Sequence, residues 1–317
     1  MSIWSPYYRG DGIQRRVDLP PPPPWRTFPR QSQHGQFQPP PDLIEAVNAA
    51  VRLRRPLLLR GPAGFGKSTV AEQVAHELDL GPVLRWHVTS RSTLRDALYR
   101  YDALGRIHAQ NLRAARTKAA HAADPKDQDQ DDIAAYLQLG PLGTALLPAE
   151  RPRALLIDEV DKSDLDLPSD LLDVLERGEF EIPELARHPE STVPVRLWNS
   201  DEAVAVTRGR IACTEFPFIV LTSNDERDFP EAFLRRCIRY TMPTPTPEML
   251  YRIIGAHLGA DAARAGTELV TGFADRLQRG ERLAIDQLLN AVHLLGEESV
   301  PKPEQLQRLL LRELTNG

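Results

Sequence analysis

The 317-residue chain carries only two cysteines, Cys213 and Cys237, far apart in sequence. That excludes a disulfide framework and a cysteine-based metal site, and reads as the reduced thiols of a cytoplasmic protein. No run of about 18 apolar residues occurs, so no membrane span is expected. The opening MSIWSPYYRGDG lacks the apolar core of a secretion signal. The histidines, at 34, 76, 87, 108, 121, 188, 257 and 293, are scattered, none at ligand spacing with a cysteine or another histidine. Positive charge does not dominate. The net charge is −5, which gives no reason to expect nucleic acid as the main partner. Arginine is nevertheless plentiful, so a local basic channel inside an assembly stays open. No Asn/Thr-Lys-x-Asp run is present to read a guanine base.

What the chain does have is LLLRGPAGFGKSTV at residues 57–70. An apolar run leads into Gly61-Pro62-Ala63-Gly64-Phe65-Gly66-Lys67-Ser68, followed by Thr69, and Val70 and Ala71 then open a helical pattern. This is G-x-x-x-x-G-K-[ST] between a strand and a helix, the context that a phosphate-binding loop requires. Gly61, Gly64 and Gly66 let the backbone take turns forbidden to other residues. Successive N–H groups can then point inward as an anion nest, and the helix that starts there adds the positive end of its dipole. Lys67 can reach the β- and γ-phosphates, and the Ser68 hydroxyl can ligate Mg²⁺. A Gly-rich turn without a ligand is the plainer alternative; the flanking strand and helix argue against it.

Residues 1–41 are rich in Pro and Gln, with Pro20 to Pro24 in succession, and read as an extended polyproline-like segment. Its aromatics, Trp4, Tyr7, Tyr8, Trp25 and Phe28, place it against the body of the protein rather than in a free linker. Asp42 is expected to cap a helix over about 43–53. The helix after the loop should run to about Leu80, and Val83 to Val88 should form a second strand. Strand, helix, strand in this order marks a parallel α/β sheet. A long helical stretch is expected from Leu94, with Leu98, Tyr101 and Leu104 at helical spacing. Residues 123–132, ADPKDQDQDD, read as a charged surface loop.

Leu155-Leu156-Ile157-Asp158-Glu159 describes a buried central strand with two carboxylates at its C-terminal end. In a parallel sheet that end faces the ligand. Asp158 suits Mg²⁺, and Glu159 suits the activation of a water. Leu171 to Leu175 form a helix face. Val193 to Trp198 and Ala203 to Val206 read as a hairpin. Phe216 to Leu221 reads as another central strand, ending in Thr222-Ser223-Asn224, where the Asn224 amide can bond a γ-phosphate or the water. Pro230 to Cys237 is a short helix with adjacent Arg235 and Arg236. An arginine delivered to a neighbour's γ-phosphate would stabilise transition-state charge. From Pro247 onward the pattern is helical, over about 247–258, 260–278, 284–296 and 303–314.

This order of motifs resembles an AAA+ ATPase, and the details resemble the MoxR family, in a form associated with actinobacterial MoxR-like proteins. GPLGTALLPAERPRALLIDEVDK (140–162), LLDVLERGEFEIPE (171–184), TSNDERDFPEAFLRRC (222–237) and TSRSTLRDALYRYDALGR (89–106) carry the resemblance. It implies a P-loop NTPase with a five-stranded parallel sheet in a three-layer α/β sandwich (42–244), a C-terminal α-helical lid (245–317) and the Pro-rich extension (1–41). By resemblance Gly61 to Ser68 are Walker A, Asp158 and Glu159 Walker B, and Asn224 sensor 1. Arg236 best matches the arginine finger, with Arg235 standing where the family has an acid, so the choice between the two is open. Arg282 is the candidate for sensor 2. Val160-Asp161-Lys162 replaces the family's Ile-Asn-Arg. The implied activity is ATP hydrolysis with Mg²⁺ in a hexameric ring that remodels or activates a partner, commonly a von Willebrand A domain protein. No Asp-x-Ser-x-Ser run occurs here, so that partner would be a separate chain. Competing readings are a nucleotide switch with little turnover and a nucleic-acid-associated P-loop NTPase.

Overall fold

The computed structural model describes residues 11–14, 16, 21–27, 39–119, 133–281 and 283–296. In chain order its elements are α1 (Pro41–Leu53), β1 (Leu57–Arg60), α2 (Lys67–Glu77), β2 (Leu84–His87), α3 (Leu94–Leu98), β3 (Tyr99–Tyr101), α4 (Ala103–Ala119), β4 (Leu137–Leu139), α5 (Pro141–Ala145) and β5 (Ala154–Asp158). Then come α6 (Leu167–Arg177), β6 (Glu179–Glu181), α7 (Pro183–Ala186), β7 (Thr192–Arg196), β8 (Ala203–Thr207), β9 (Arg210–Ala212), β10 (Phe218–Ser223), α8 (Glu231–Arg236) and β11 (Ile238–Thr241). The last four are α9 (Pro247–Leu258), α10 (Ala260–Ala265), α11 (Thr267–Gln278) and α12 (Ile285–Gly296). By contacts the chain falls into two units, one of residues 39–60 and 68–240, the other of 61–67 with 241 onward and the N-terminal residues.

The larger unit is built on a five-stranded sheet in the order β11-β1-β10-β5-β2. Pairings β1 with β10, β10 with β5 and β5 with β2 are all parallel. Strands buried on both faces should be continuous apolar runs rather than alternating ones. Leu57-Leu58-Leu59, Ala154 to Ile157 and Phe218 to Leu221 are such runs, and all are buried. Leu58, Leu155, Ile157, Ile219 and Leu221 join Leu142, Leu146, Leu171 and Phe233 in one core. The fold is the α/β, P-loop NTPase type expected from the sequence. Because the strands run the same way, the residues that follow β5 and β10 emerge together at one edge.

A second sheet, β3-β4-β7-β8, corrects the reading of one long helix from Leu94. Helix α3 stops at Leu98, Tyr99–Tyr101 turns extended, and this strand pairs antiparallel with β4. Tyr101 is therefore in a strand, and Leu104 lies in the first turn of the separate helix α4. Thr93 and Asp96 form a reciprocal capping box at the start of α3, which fixes where that short helix begins. The expected hairpin is present as the antiparallel pair β7 and β8. Helix α1 also starts earlier than expected. Its N-cap is Pro40, with Pro41 in the first turn, and Asp42 lies inside the helix as its first-turn acid. Proline suits that turn because it has no N–H to leave unpaired. Helix α2 ends at Glu77 rather than near Leu80.

In the smaller unit α9 opens with Thr246, whose hydroxyl accepts the Met249 N–H. The expected helix over 260–278 is two helices, broken at Gly266. A Cβ there would lie 2.9 Å from a Val292 methyl, so the break lets α12 approach closely. Leu250, Ile254, Val270, Phe273, Ala274, Leu288 and Val292 are buried. Polyproline backbone angles persist at Pro23, but Pro24–Arg26 close into a 3₁₀ turn. The Trp25 ring then meets His293 of α12 edge-on at 5.6 Å. Trp4, Tyr7, Tyr8 and Phe28, the charged 123–132 run, Arg282 and the expected helix at 303–314 lie outside the described residues. Among the described residues no helix is long and apolar enough to cross a membrane.

Candidate functional site: a glycine loop and the ends of two strands

The loop from Gly61 to Lys67 takes the conformation that its glycines allow. Gly61, Gly64 and Gly66 have φ of 135°, 83° and 76°, a region that other residues rarely enter. Two of them also admit neighbours from their own unit. A Cβ on Gly61 would meet Met242, and one on Gly64 would lie 3.1 Å from the Ile285 backbone nitrogen. Phe65 is buried, Pro62 and Gly66 are partly covered, and Ala63 and Gly64 are exposed. The Lys67 side chain is only 7% exposed. Its ammonium donates to the Gly61 carbonyl and, at 2.8 Å, to the Pro62 carbonyl. The cation is thus folded back onto carbonyls of its own loop.

In the larger unit, the first turn of α2 and the ends of β5 and β10 bring the other predicted residues together. The Ser68 hydroxyl donates to Asp158 Oδ1 at 3.0 Å. That oxygen also accepts from the Thr222 hydroxyl at 2.6 Å. Thr222 in turn accepts the backbone N–H of Glu159 at 2.9 Å. Thr69, next to Ser68, is partly covered on the same turn.

Glu159 stands in the left-handed region, at φ 59°. For a residue with a side chain this costs about 1–2 kcal/mol. Its carboxylate is held on several sides. Oε2 accepts from the Lys162 ammonium at 2.8 Å, and Oε1 lies 3.4 Å from the Asn224 amide nitrogen. His87 Nε2 is 3.4 Å from Oε2. The bond to Glu159 raises the pKa of Lys162, so that side chain stays a cation. His87 arrives there through strand register, because it is paired with Asp158 across β2 and β5.

Asn224 sits in a tight turn beyond β10. Its backbone N–H, and that of Glu226, both donate to Asp161 Oδ2, at 2.8 and 3.1 Å. Asp161 is only 4% exposed. Arg60, at the end of β1, adds a bond to Asp225 at 2.5 Å.

The two candidate finger arginines close α8 and differ in their surroundings. Arg236 is paired with Glu176 of α6 and donates to the Ala232 carbonyl at 3.2 Å. The Glu176 carboxylate raises its pKa further, and Arg236 lowers that of Glu176 in return. Arg235 is exposed, and its backbone carbonyl accepts from Arg55 at 3.1 Å. On the same short helix Phe233 is fully buried against Phe229, with ring centroids 5.5 Å apart.

Ser68, Asp158, Glu159 and Asn224 are thus brought together by hydrogen bonds in the larger unit. Four further residues join them to which the sequence assigned no role: Thr222, Asp161, Lys162 and His87. Lys162 lies three residues after Glu159 and reaches back to it across the short 3₁₀ turn Val160–Lys162.

A Mg²⁺ ion takes hard oxygen ligands. A serine hydroxyl and a carboxylate oxygen 3.0 Å apart are a donor pair of that kind. A family model described as AAA domain (dynein-related subfamily) matches residues 56–237, more than half of the chain, from the residue before β1 to the residue after α8. No curated protein matches the chain.

Proposed function

The chain belongs to the AAA domain family, dynein-related subfamily, and on that premise we propose a MoxR-type ATPase that hydrolyses the β–γ bond of ATP. Members of this family are nucleotide-binding ATPases built on the P-loop fold. The observation that carries the finer reading is the hydrogen-bonded run Ser68–Asp158–Thr222–Glu159, which joins two oxygen donors to a carboxylate held in a strained backbone.

Lys67 and the backbone N–H groups of the loop other than Pro62, which has none, bind the phosphates, with the ammonium moving from the Gly61 and Pro62 carbonyls to phosphate oxygens. Ser68 and Asp158 would hold Mg²⁺, which when bound neutralises charge on the phosphates. Glu159 accepts a proton from the attacking water, and the Asn224 amide orients it. Arg236, or its neighbour Arg235, reaches the γ-phosphate of an adjacent subunit, so activity requires a ring of identical chains, hexameric by resemblance. Residues 42–244 form the nucleotide-binding domain and 245–317 the lid, where Arg282 acts as sensor 2. The work done is remodelling or activation of a protein client in the cytoplasm, a von Willebrand A domain protein by resemblance.

Phosphate release by Glu159→Gln is expected to stop while ATP stays bound. Release at the wild-type rate would sink the assignment. Mixing tests the shared site. Arg236→Ala and Glu159→Gln chains, each inactive alone, should regain turnover together, because one supplies the carboxylate and the other the finger. A mixture as inactive as its parts refutes action in trans by Arg236. Co-purification with a separately expressed von Willebrand A domain protein, lost on ATP hydrolysis, tests the client.

A further inference from the structure

Two strand ends of the larger unit are tied by a reciprocal pair of bonds. In one, the backbone N–H after β5, that of Glu159, donates to the Thr222 side chain of β10. In the other, the backbone N–H after β10, that of Asn224, donates to the Asp161 side chain beyond β5. Each turn lends a side chain to the other's backbone. We propose that Thr222 and Asp161 are positioning residues, which hold Glu159 and Asn224 in register for hydrolysis without touching the reacting atoms. This rests on the hydrolase reading above.

The chemistry of each group suits that task. A threonine hydroxyl has one hydrogen and two lone pairs. Here the hydrogen goes to Asp158 Oδ1 at 2.6 Å, so a lone pair is left for the Glu159 N–H. Thr222 therefore fixes two neighbouring carboxylate residues at once, one through its side chain and one through its backbone. It is 1% exposed, so water cannot easily substitute for it. The left-handed backbone of Glu159 needs such a tether, because relaxation to an ordinary conformation would swing its carboxylate away. Asp161 does the matching work on the other turn. One oxygen accepts both the Asn224 and the Glu226 N–H, which sets the direction of the Asn224 side chain toward Glu159. Asp161 takes no part in the phosphate loop and lies deeper than the Asn224 amide it helps to place.

Steady-state hydrolysis, ATP affinity and amide exchange in the nucleotide-free full chain test this, with Glu159→Gln as reference. Thr222→Val keeps shape and removes both bonds; Asp161→Ala removes the acceptor. Each should lower kcat about 10–100-fold with ATP affinity within about threefold, the scale of a small misplacement of a reacting group. Exchange of the Glu159 amide should quicken in Thr222→Val, and that of Asn224 in Asp161→Ala, before any nucleotide is added. Thr222→Ser and Asp161→Asn, which retain the acceptor oxygens, should behave like the wild type. Thr222→Ala serves in place of valine if that variant does not fold. Unchanged kcat and unchanged exchange in both disruptive variants, beside an inactive Glu159→Gln, overturn the inference alone. An active Glu159→Gln overturns the hydrolase reading instead, whatever the exchange data show.

Discussion

Gly143 is the position where one added methyl should do most harm. It lies in α5, whose backbone runs against the end of α3. A Cβ on Gly143 would run into the Leu98 carbonyl oxygen, and would also lie 3.1 Å from the Phe180 ring. The obstacle is backbone, so no rotamer change removes it. That same oxygen accepts the Gly140 N–H at 2.9 Å, and parting the two helices breaks the bond. Overpacking of a tight core costs about 1–3 kcal/mol, and a hydrogen bond lost on top about 1 kcal/mol. Gly143→Ala should thus destabilise the larger unit by about 2–4 kcal/mol, a large share of the ~5–15 kcal/mol typical of a folded chain. Gly272→Ala provides the control. It lies inside α11 with nothing within 4 Å of an added Cβ, so helix propensity alone should stabilise by up to about 1 kcal/mol. Urea unfolding, with amide exchange read separately in each unit, measures both. If Gly143→Ala comes within about 0.5 kcal/mol of wild type, the scatter of an ordinary surface change, the close-approach argument is wrong.

Phe233→Ala should remove the buried support of α8 at a cost of about 3–5 kcal/mol, and turnover should fall more than ATP affinity because Arg235 and Arg236 lose their base; denaturation and nucleotide titration on one preparation compare the two. Burial pushes the Cys237 thiol up to about 12 and raises that of Cys213 as well. Both should resist alkylation at pH 8 in the folded chain and react at once in denaturant, as mass spectrometry would reveal. Burial lowers the pKa of His257 below its ordinary 6.5, and its Nδ1 is buried without a partner. The unfolded chain therefore takes up a proton first as pH falls. Stability from this group is complete above pH 6.5 and declines below it, until the folded histidine is protonated too. His257→Phe should flatten that slope, seen in exchange of the α9 amides.

The phosphate loop was legible because its meaning is local: glycines that permit left-handed turns, a lysine and a serine at fixed offsets. The central strands were legible because burial on both faces demands unbroken apolar runs. Leu94, Leu98, Tyr101 and Leu104 misled, because spacing of three and four also fits a strand flanked by two helices. What decides it is β4, which supplies the partner for Tyr99–Tyr101 from more than thirty residues further on. The roles of Thr222, Asp161 and His87 were hidden for a related reason. Each depends on which residues face one another at the ends of parallel strands, and that register is a property of the assembled sheet. Asp42 misled differently: it is a good capping residue, but Pro41 beside it is better suited to the first turn.

The left-handed backbone at Glu159 sets fold and activity in opposition at a single residue. Replacing it by glycine would relieve strain worth about 1–2 kcal/mol and delete the proposed base in the same stroke. A screen of random variants scored only on resistance to heat would be drawn to that codon, and the clones it rewarded would melt later and release no phosphate.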